Sequence, residues 1–269
     1  FGNIFFSATL VNIIFVLLCA YLLVLFSKEY NFSSQTAFIA ILFFLTSSTT
    51  ITFFISGHTD FTALFFGMYA ILMLKKYYKT KKNKYVFWYL LSAIIAVFTR
   101  EIFILLSILP LFYKLDKKTI MPRIAMMLFP PILYFLYLYW ADLIYLFIEV
   151  RVIGTKAYMM LYPTYATVTS LCLAFFMCFS FVLLFFLYGF KNMHKNPLFI
   201  FTIVYLTYLI VNKVGFDRHL IQGLFGVSFF GAVGLINFSK NFKNQSRVIF
   251  LITTSIILIN FCVFILRII

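Results

Sequence analysis

Residues 87–113 read FWYLLSAIIAVFTREIFILLSILPLFY, an apolar run with Thr99-Arg100-Glu101 at its middle. Both flanks are basic: Lys75, Lys76, Lys79, Lys81, Lys82 and Lys84 precede it, and Lys114, Lys117, Lys118 and Arg123 follow. Cytoplasmic loops of membrane proteins collect Lys and Arg, so both flanks read as cytoplasmic and the run must enter the membrane and return. Each arm has about a dozen residues, roughly 18 Å as helix, against a hydrocarbon core of about 30 Å. This predicts a re-entrant-like helical hairpin whose Arg-Glu tip lies inside the bilayer, well short of the far surface. Charges at that depth need protein or water around them, so the tip reads as the floor of a water-filled cavity open to the outer side. The alternative is one tilted helix of roughly 40 Å, with Arg100 and Glu101 buried near its centre and every later segment reversed.

The composition places this run in an all-α, polytopic transmembrane bundle. The chain is 64% hydrophobic and 11% charged, with mean hydropathy +1.06, and apolar runs of spanning length recur along it. No polar stretch is long enough to fold apart, so residues 1–269 read as a single integral membrane domain. It should hold roughly eight or nine full spans besides the hairpin. In a soluble protein the net charge of +15 would suggest nucleic acid; here it reflects the cytoplasmic bias and anionic headgroups of membrane lipids, and no nucleic acid is expected. Cys19, Cys172, Cys178 and Cys262 all lie in apolar runs without metal-ligand spacing, which predicts neither disulfide nor zinc. The chain begins at Phe1, with no basic leader region, and is expected to be part of a longer protein that supplies a preceding span and outer loop.

Spans are expected at residues 4–26, 36–55, 61–74, 124–141, 164–190, 198–211, 220–238 and 248–266. The patch Thr46-Ser47-Ser48-Thr49-Thr50 predicts a bend or break in the second, because hydroxyls bond back to helix carbonyls. Thr59 or Asp60 reads as the N-cap of the third. Pro130-Pro131 should kink the fourth or delay its start. Residues 142–163 read as an interfacial or re-entrant connection. Gly223, Gly226, Gly231 and Gly234 predict close helix packing around the seventh. On this topology only Arg100, Arg151, Lys156, Lys213, Arg218 and Arg267 of the 22 Lys and Arg fall on the outer side.

The same topology gathers four groups at the outer face: His58 with Asp60; Arg100 with Glu101; Glu149, Arg151 and Lys156; and Lys213, Asp217, Arg218 and His219. Asp60, Glu101, Asp142, Glu149 and Asp217, of the 7 acids in the chain, belong to this side. Carboxylates and His on a cavity wall can act as bases or hold a divalent metal. Arg and Lys can hold phosphate, Arg by a bidentate fork. Each group also has a plain structural reading: an ion pair locking the hairpin for Arg100-Glu101, caps and turns for His58, Asp60 and Asp217-Arg218-His219, and a solvated loop face for Glu149, Arg151 and Lys156. There is no Gly-rich phosphate loop, HExxH or GxSxG motif.

The order of these features resembles the C-type polytopic glycosyltransferases, which use polyprenyl-phosphate-linked sugars. The resemblance rests on the turn at Gly57-His58-Thr59-Asp60, the basic inner loop, the hairpin tip Thr99-Arg100-Glu101, and Phe216-Asp217-Arg218-His219-Leu220 opening a glycine-rich helix. In that family the tip often reads Thr-Lys and the late motif Asp-Arg-Tyr-Leu. The resemblance implies a multi-pass enzyme of a prokaryotic plasma membrane, with its site facing outward. Arg100, Arg218 and Lys213, with His58, Asp217 and His219, would bind the lipid-phosphate sugar. Asp60 and Glu101 stand as acidic members of the catalytic set, the family's main base being expected upstream of Phe1. No cofactor is required, although Asp60 and His58 could take a divalent metal.

Three other classes remain open, one of them a purely structural membrane subunit, which nothing in the sequence excludes. A lipid-linked polysaccharide-repeat polymerase would carry a large outer loop with several arginines, whereas residues 142–163 hold only Arg151. A transporter or flippase would show internal repeats and broken helices paired across two halves; the sequence shows no repeat.

Overall fold

Helix α1 (Gly2–Glu29) opens the bundle and ends at the basic side, where Glu29 pairs with Lys79 at 3.1 Å. The computed structural model describes residues 2–54, 59–113, 119–149, 168–189, 196–211 and 217–268. Asn31 turns the chain in the left-handed region (φ 57). The Ser33 hydroxyl then caps α2 (Ser34–Thr46) by accepting from the Thr36 amide at 3.2 Å. The path breaks at Ser47 and resumes as α3 (Ser48–Phe54), as the hydroxyl patch predicts.

Helix α4 (Asp60–Thr80) returns to the basic side. It outruns the expected span because Lys75, Lys76 and Lys79 continue it; Lys is a good helix former whose stem tolerates apolar surroundings. Lys81 closes it in the left-handed conformation (φ 59). Helix α5 (Asn83–Thr99) runs back, Arg100 is extended (φ −148, ψ 110), and Glu101–Phe112 forms a 3-10 helix. A 3-10 run of that length is uncommon.

This is a hairpin. Tyr89 of α5 donates to the Leu106 carbonyl of the 3-10 arm at 2.8 Å; along one straight helix those residues would stand roughly 25 Å apart. Tyr113, at the end of the 3-10 arm, stacks on Tyr78 of α4 with ring centroids 3.8 Å apart. The segment therefore returns to the basic end, and the single tilted helix is excluded.

The hairpin is deeper than its apolar run suggests. The first arm begins at Asn83, giving about 25 Å at 1.5 Å per residue, and the 3-10 rise of about 2.0 Å per residue stretches the second to roughly 24 Å. Helix α6 (Ile120–Trp140) gauges the result. Phe98 packs on Tyr134 and Tyr137 (centroids 5.7 and 5.2 Å), and Trp140, 85% exposed, lies one turn further on. Exposed Trp and Tyr mark membrane interfaces. With Trp88 and Phe87 at the basic end and Tyr139 and Trp140 at the other, exposed aromatics mark both ends of the bundle, and the tip lies about one turn, ~5 Å, short of the level of Trp140 along α6.

α6 neither starts late nor breaks; it runs through Pro130 and Pro131. Arg123 in its first turn is buried and donates to the Tyr113 carbonyl (2.6 Å) and the Tyr78 hydroxyl (3.2 Å), locking the hairpin exit to α4. The short α7 (Ile144–Ile148) carries exposed Tyr145. The expected fifth span is two helices, α8 (Val168–Phe179) and α9 (Val182–Tyr188), separated at Ser180, whose φ is 50. Then follow α10 (Pro197–Val211), α11 (Asp217–Ser239) and α12 (Gln245–Ile268).

α11 is the axis: 89% of its spanning window is buried, against 22% for α6 and 28% for α12. Its glycines explain how neighbours come so close. A Cβ on Gly226 would meet the Thr202 side chain of α10, and one on Gly234 the Phe185 carbonyl of α9. Among the described residues no strand occurs, and four stretches are long and apolar enough to cross a membrane: Phe6–Glu29, Ile120–Trp140, Leu220–Ser239 and Gln245–Leu266. The molecule is an all-α bundle, and its exposed apolar faces fit an integral membrane protein.

Candidate functional site

At the end of the bundle away from the lysines, α4, the 3-10 arm and α11 each begin with an acid: Asp60, Glu101 and Asp217. Helix N-termini carry partial positive charge that stabilises a carboxylate. Thr59 occupies the N-cap position of α4 without a side-chain cap bond. The carboxylate of Asp60 is instead engaged by the hairpin: Arg100 Nη2 lies 2.6 Å from Asp60 Oδ1.

Arg100 is placed by the break that makes the tip. Thr99 Oγ1 donates to the Ile95 carbonyl at 2.7 Å as α5 ends, the Arg100 amide donates to Ala96 at 2.8 Å, and its carbonyl accepts from Phe103 at 3.1 Å. The backbone of the turn is thereby satisfied without a continuing α-helix. Phe103 then inserts against Gly67 of α4, where no Cβ obstructs it, and stacks on Phe201 of α10.

Two further helices complete a network. Gln222 of α11 donates through Nε2 to Asp60 Oδ1 at 3.4 Å, and the Tyr205 hydroxyl of α10 donates to Gln222 Oε1 at 3.1 Å. A buried ion pair persists only with further hydrogen bonds to offset its desolvation, and this chain supplies them. The pair is asymmetric: the Asp60 side chain is 1% exposed and that of Arg100 15%. The carboxylate is sealed, and the arginine side chain keeps only a small part of its surface exposed.

Asp60 and Arg100 are thus brought together. Glu101 follows Arg100 in the chain and is half-buried. Residues 217–219 open α11 one turn before Gln222, which puts Asp217, Arg218 and His219 at the same end. The helix starts at Asp217, three residues before the expected span at residues 220–238. His58 and Lys213 lie outside the described residues, as do Arg151 and Lys156, while Glu149 follows α7. Among the described residues no three of His, Cys, Asp and Glu gather as a metal set, and the Asp60 carboxylate is already held by Arg100 and Gln222.

Tyr205 and Gln222 did not stand out in the sequence. The available signal is a Gln inside Leu220-Ile221-Gln222-Gly223, since an amide in a buried apolar helix needs a partner. Tyr205 offers none, because Tyr and Phe alternate freely through the spans. The chain matches no protein-family model, no curated protein and no solved structure at a significant level.

Proposed function

We propose that the chain is the membrane part of a glycosyltransferase that moves a sugar from a polyprenyl-phosphate donor to an acceptor at the outer face of a prokaryotic plasma membrane. The observation that carries this reading is Arg100, held at the hairpin tip by buried Asp60 about one turn (~5 Å) short of the exposed Tyr139 and Trp140 that end α6. A lipid-linked phosphate presents its anion at that depth. Arg100, with Arg218 and Lys213 from the start of α11 and the connection before it, would hold the phosphate and stabilise the charge that develops as it leaves. Asp60 would act by positioning Arg100, since it is sealed from solute. Proton removal from the acceptor hydroxyl would fall to Glu101 or to an acid outside this chain.

The test is transfer of radiolabelled sugar from a polyprenyl-phosphate donor in membranes carrying Arg100→Gln or Arg218→Gln. Both variants should insert normally and lose transfer at least about 100-fold. Wild-type transfer in both would overturn the reading.

A second reading, a transporter or flippase of lipid-linked or polar solutes, is favoured by one observation: two helices break inside the bundle and their breaks touch, Ser47 donating to the Cys178 carbonyl at 2.8 Å. Solute counterflow in proteoliposomes that persists in Arg100→Gln would favour it over the transferase.

A further inference from the structure

At the basic end of the bundle, α10 begins against the residue that follows α1. Asn196 caps the helix: its Oδ1 accepts from the Leu198 amide at 3.0 Å and its carbonyl from the Ile200 amide at 2.9 Å. Asn196 is 6% exposed, and its Nδ2 is buried without a hydrogen-bond partner. That nitrogen shares a carbon with the capping oxygen, so the unused donor is fixed at the helix start.

The Leu198 amide also faces the hydroxyl of Tyr30. Because Asn196 takes that amide, the Tyr30 hydroxyl is buried with no hydrogen bond. Burial pushes the Tyr30 hydroxyl well above its ordinary pKa, so it keeps its proton and stays a donor. Lys75 of α4 places its ammonium 5.0 Å from the centre of the Tyr30 ring. Tyr113, at the end of the 3-10 arm, acts on Tyr30 through space, and its own hydroxyl is also buried and unbonded. Tyr30 thus joins four elements at one point.

The unmatched groups share a sense. An amide nitrogen and an ammonium can only donate, and a phenol can donate. The start of a helix adds roughly half a positive charge. Among the described residues the acid at this end is Glu29, and Lys79 holds it at 3.1 Å. What the junction lacks is an anionic acceptor with several oxygens.

We propose that the junction of α1, α4 and α10 binds a phosphate group, with Asn196 Nδ2, the Tyr30 hydroxyl and the Lys75 ammonium donating to its oxygens and the Tyr113 hydroxyl beside them. Helix starts are ready-made phosphate sites, and basic pockets between helices on the cytoplasmic side take lipid headgroups. Free phosphate and the phosphate of an anionic lipid present the same chemistry here. The site lies at the opposite end of the bundle from the Asp60–Arg100 pair and does not depend on the transferase reading.

The test is thermal unfolding of the purified chain in dodecyl maltoside, which carries neither charge nor phosphate. Inorganic phosphate is titrated in one arm and phosphatidylglycerol in the other, against chloride at equal ionic strength. At least one arm should raise the midpoint saturably, by about 5 °C at a hundredfold excess over Kd. A shift with inorganic phosphate marks a site open to the free anion; a shift with phosphatidylglycerol alone marks a headgroup site. Asn196→Asp keeps the cap but replaces the donor with a carboxylate, and Tyr30→Phe removes only an unbonded hydroxyl. Both should lose most of the shift while keeping the chloride midpoint. No shift in either arm, or a shift that survives both variants, would overturn the proposal. If a variant fails to fold, the other decides; if both fail, a saturable wild-type shift supports the site and its absence removes it.

Discussion

The guanidinium of Arg100 lies 2.6 Å from the carboxylate of Asp60, joining the tip of the hairpin to the first turn of α4. One contact thus closes the end of the bundle opposite the lysines, and Gln222 reaches the same carboxylate oxygen from the central helix. Removing one partner of a buried pair leaves the other charge uncompensated, at about 3–5 kcal/mol. Asp60→Asn should therefore lower unfolding stability by about 3 kcal/mol. Arg100→Gln combined with it should cost less than the sum of the single changes. Chemical unfolding of the four proteins of this cycle measures the coupling, and simple additivity would show that the pair carries none.

Gln222 and Tyr205 hold the pair from behind, so their loss should act through Arg100. On the proposed transferase reading, Gln222→Leu should weaken donor binding, read as a raised KM for the lipid-phosphate sugar, by about tenfold, with Tyr205→Phe milder. An unchanged KM with a lowered kcat would place these residues elsewhere in the mechanism.

Tyr89 donates its hydroxyl to the Leu106 carbonyl across the hairpin, and both residues are buried. Tyr89→Phe removes that bond across the hairpin and should cost about 1 kcal/mol. Hydrogen exchange should show the loss concentrated in residues 101–112.

The glycines of α11 differ in what surrounds them. A Cβ at Gly234 would run into the Phe185 carbonyl, which is backbone and cannot swing aside, whereas at Gly223 it would lie 3.1 Å from Leu206 Cδ2, the end of a flexible side chain. Gly234→Ala should cost about 2–3 kcal/mol and Gly223→Ala under about 1 kcal/mol. Thermal midpoints of the two variants should fall in that order.

Orientation can be checked directly. Lys82 and Thr59 are exposed and lie at opposite ends of α4. With the native cysteines removed, Lys82→Cys should react with an impermeant thiol reagent only in inverted vesicles, and Thr59→Cys only in right-side-out ones. The reverse pattern would turn the bundle over.

How much of this could be read from the chain alone follows from the range of each interaction. Basic flanks on either side of residues 87–113 announced the hairpin, because the charge rule acts on each loop separately. The hydroxyl patch at residues 46–50 announced the first helix break, since those side chains compete with their own backbone. The glycines of α11 announced close packing for a similar local reason. The partner of Asp60, the amide of Gln222 behind it, the break at Ser180 and the 3-10 winding of the second arm carried no comparable mark. Each depends on a residue far away in the chain: Arg100 for Asp60, Tyr205 for Gln222, Ser47 and Ser48 for the carbonyls of α8, Phe201 and Gly67 for Phe103. Hydropathy and charge bias say where a helix runs and which end faces the cytoplasm; which faces meet is settled only when the helices pack, because buried polar groups must then find partners across the bundle.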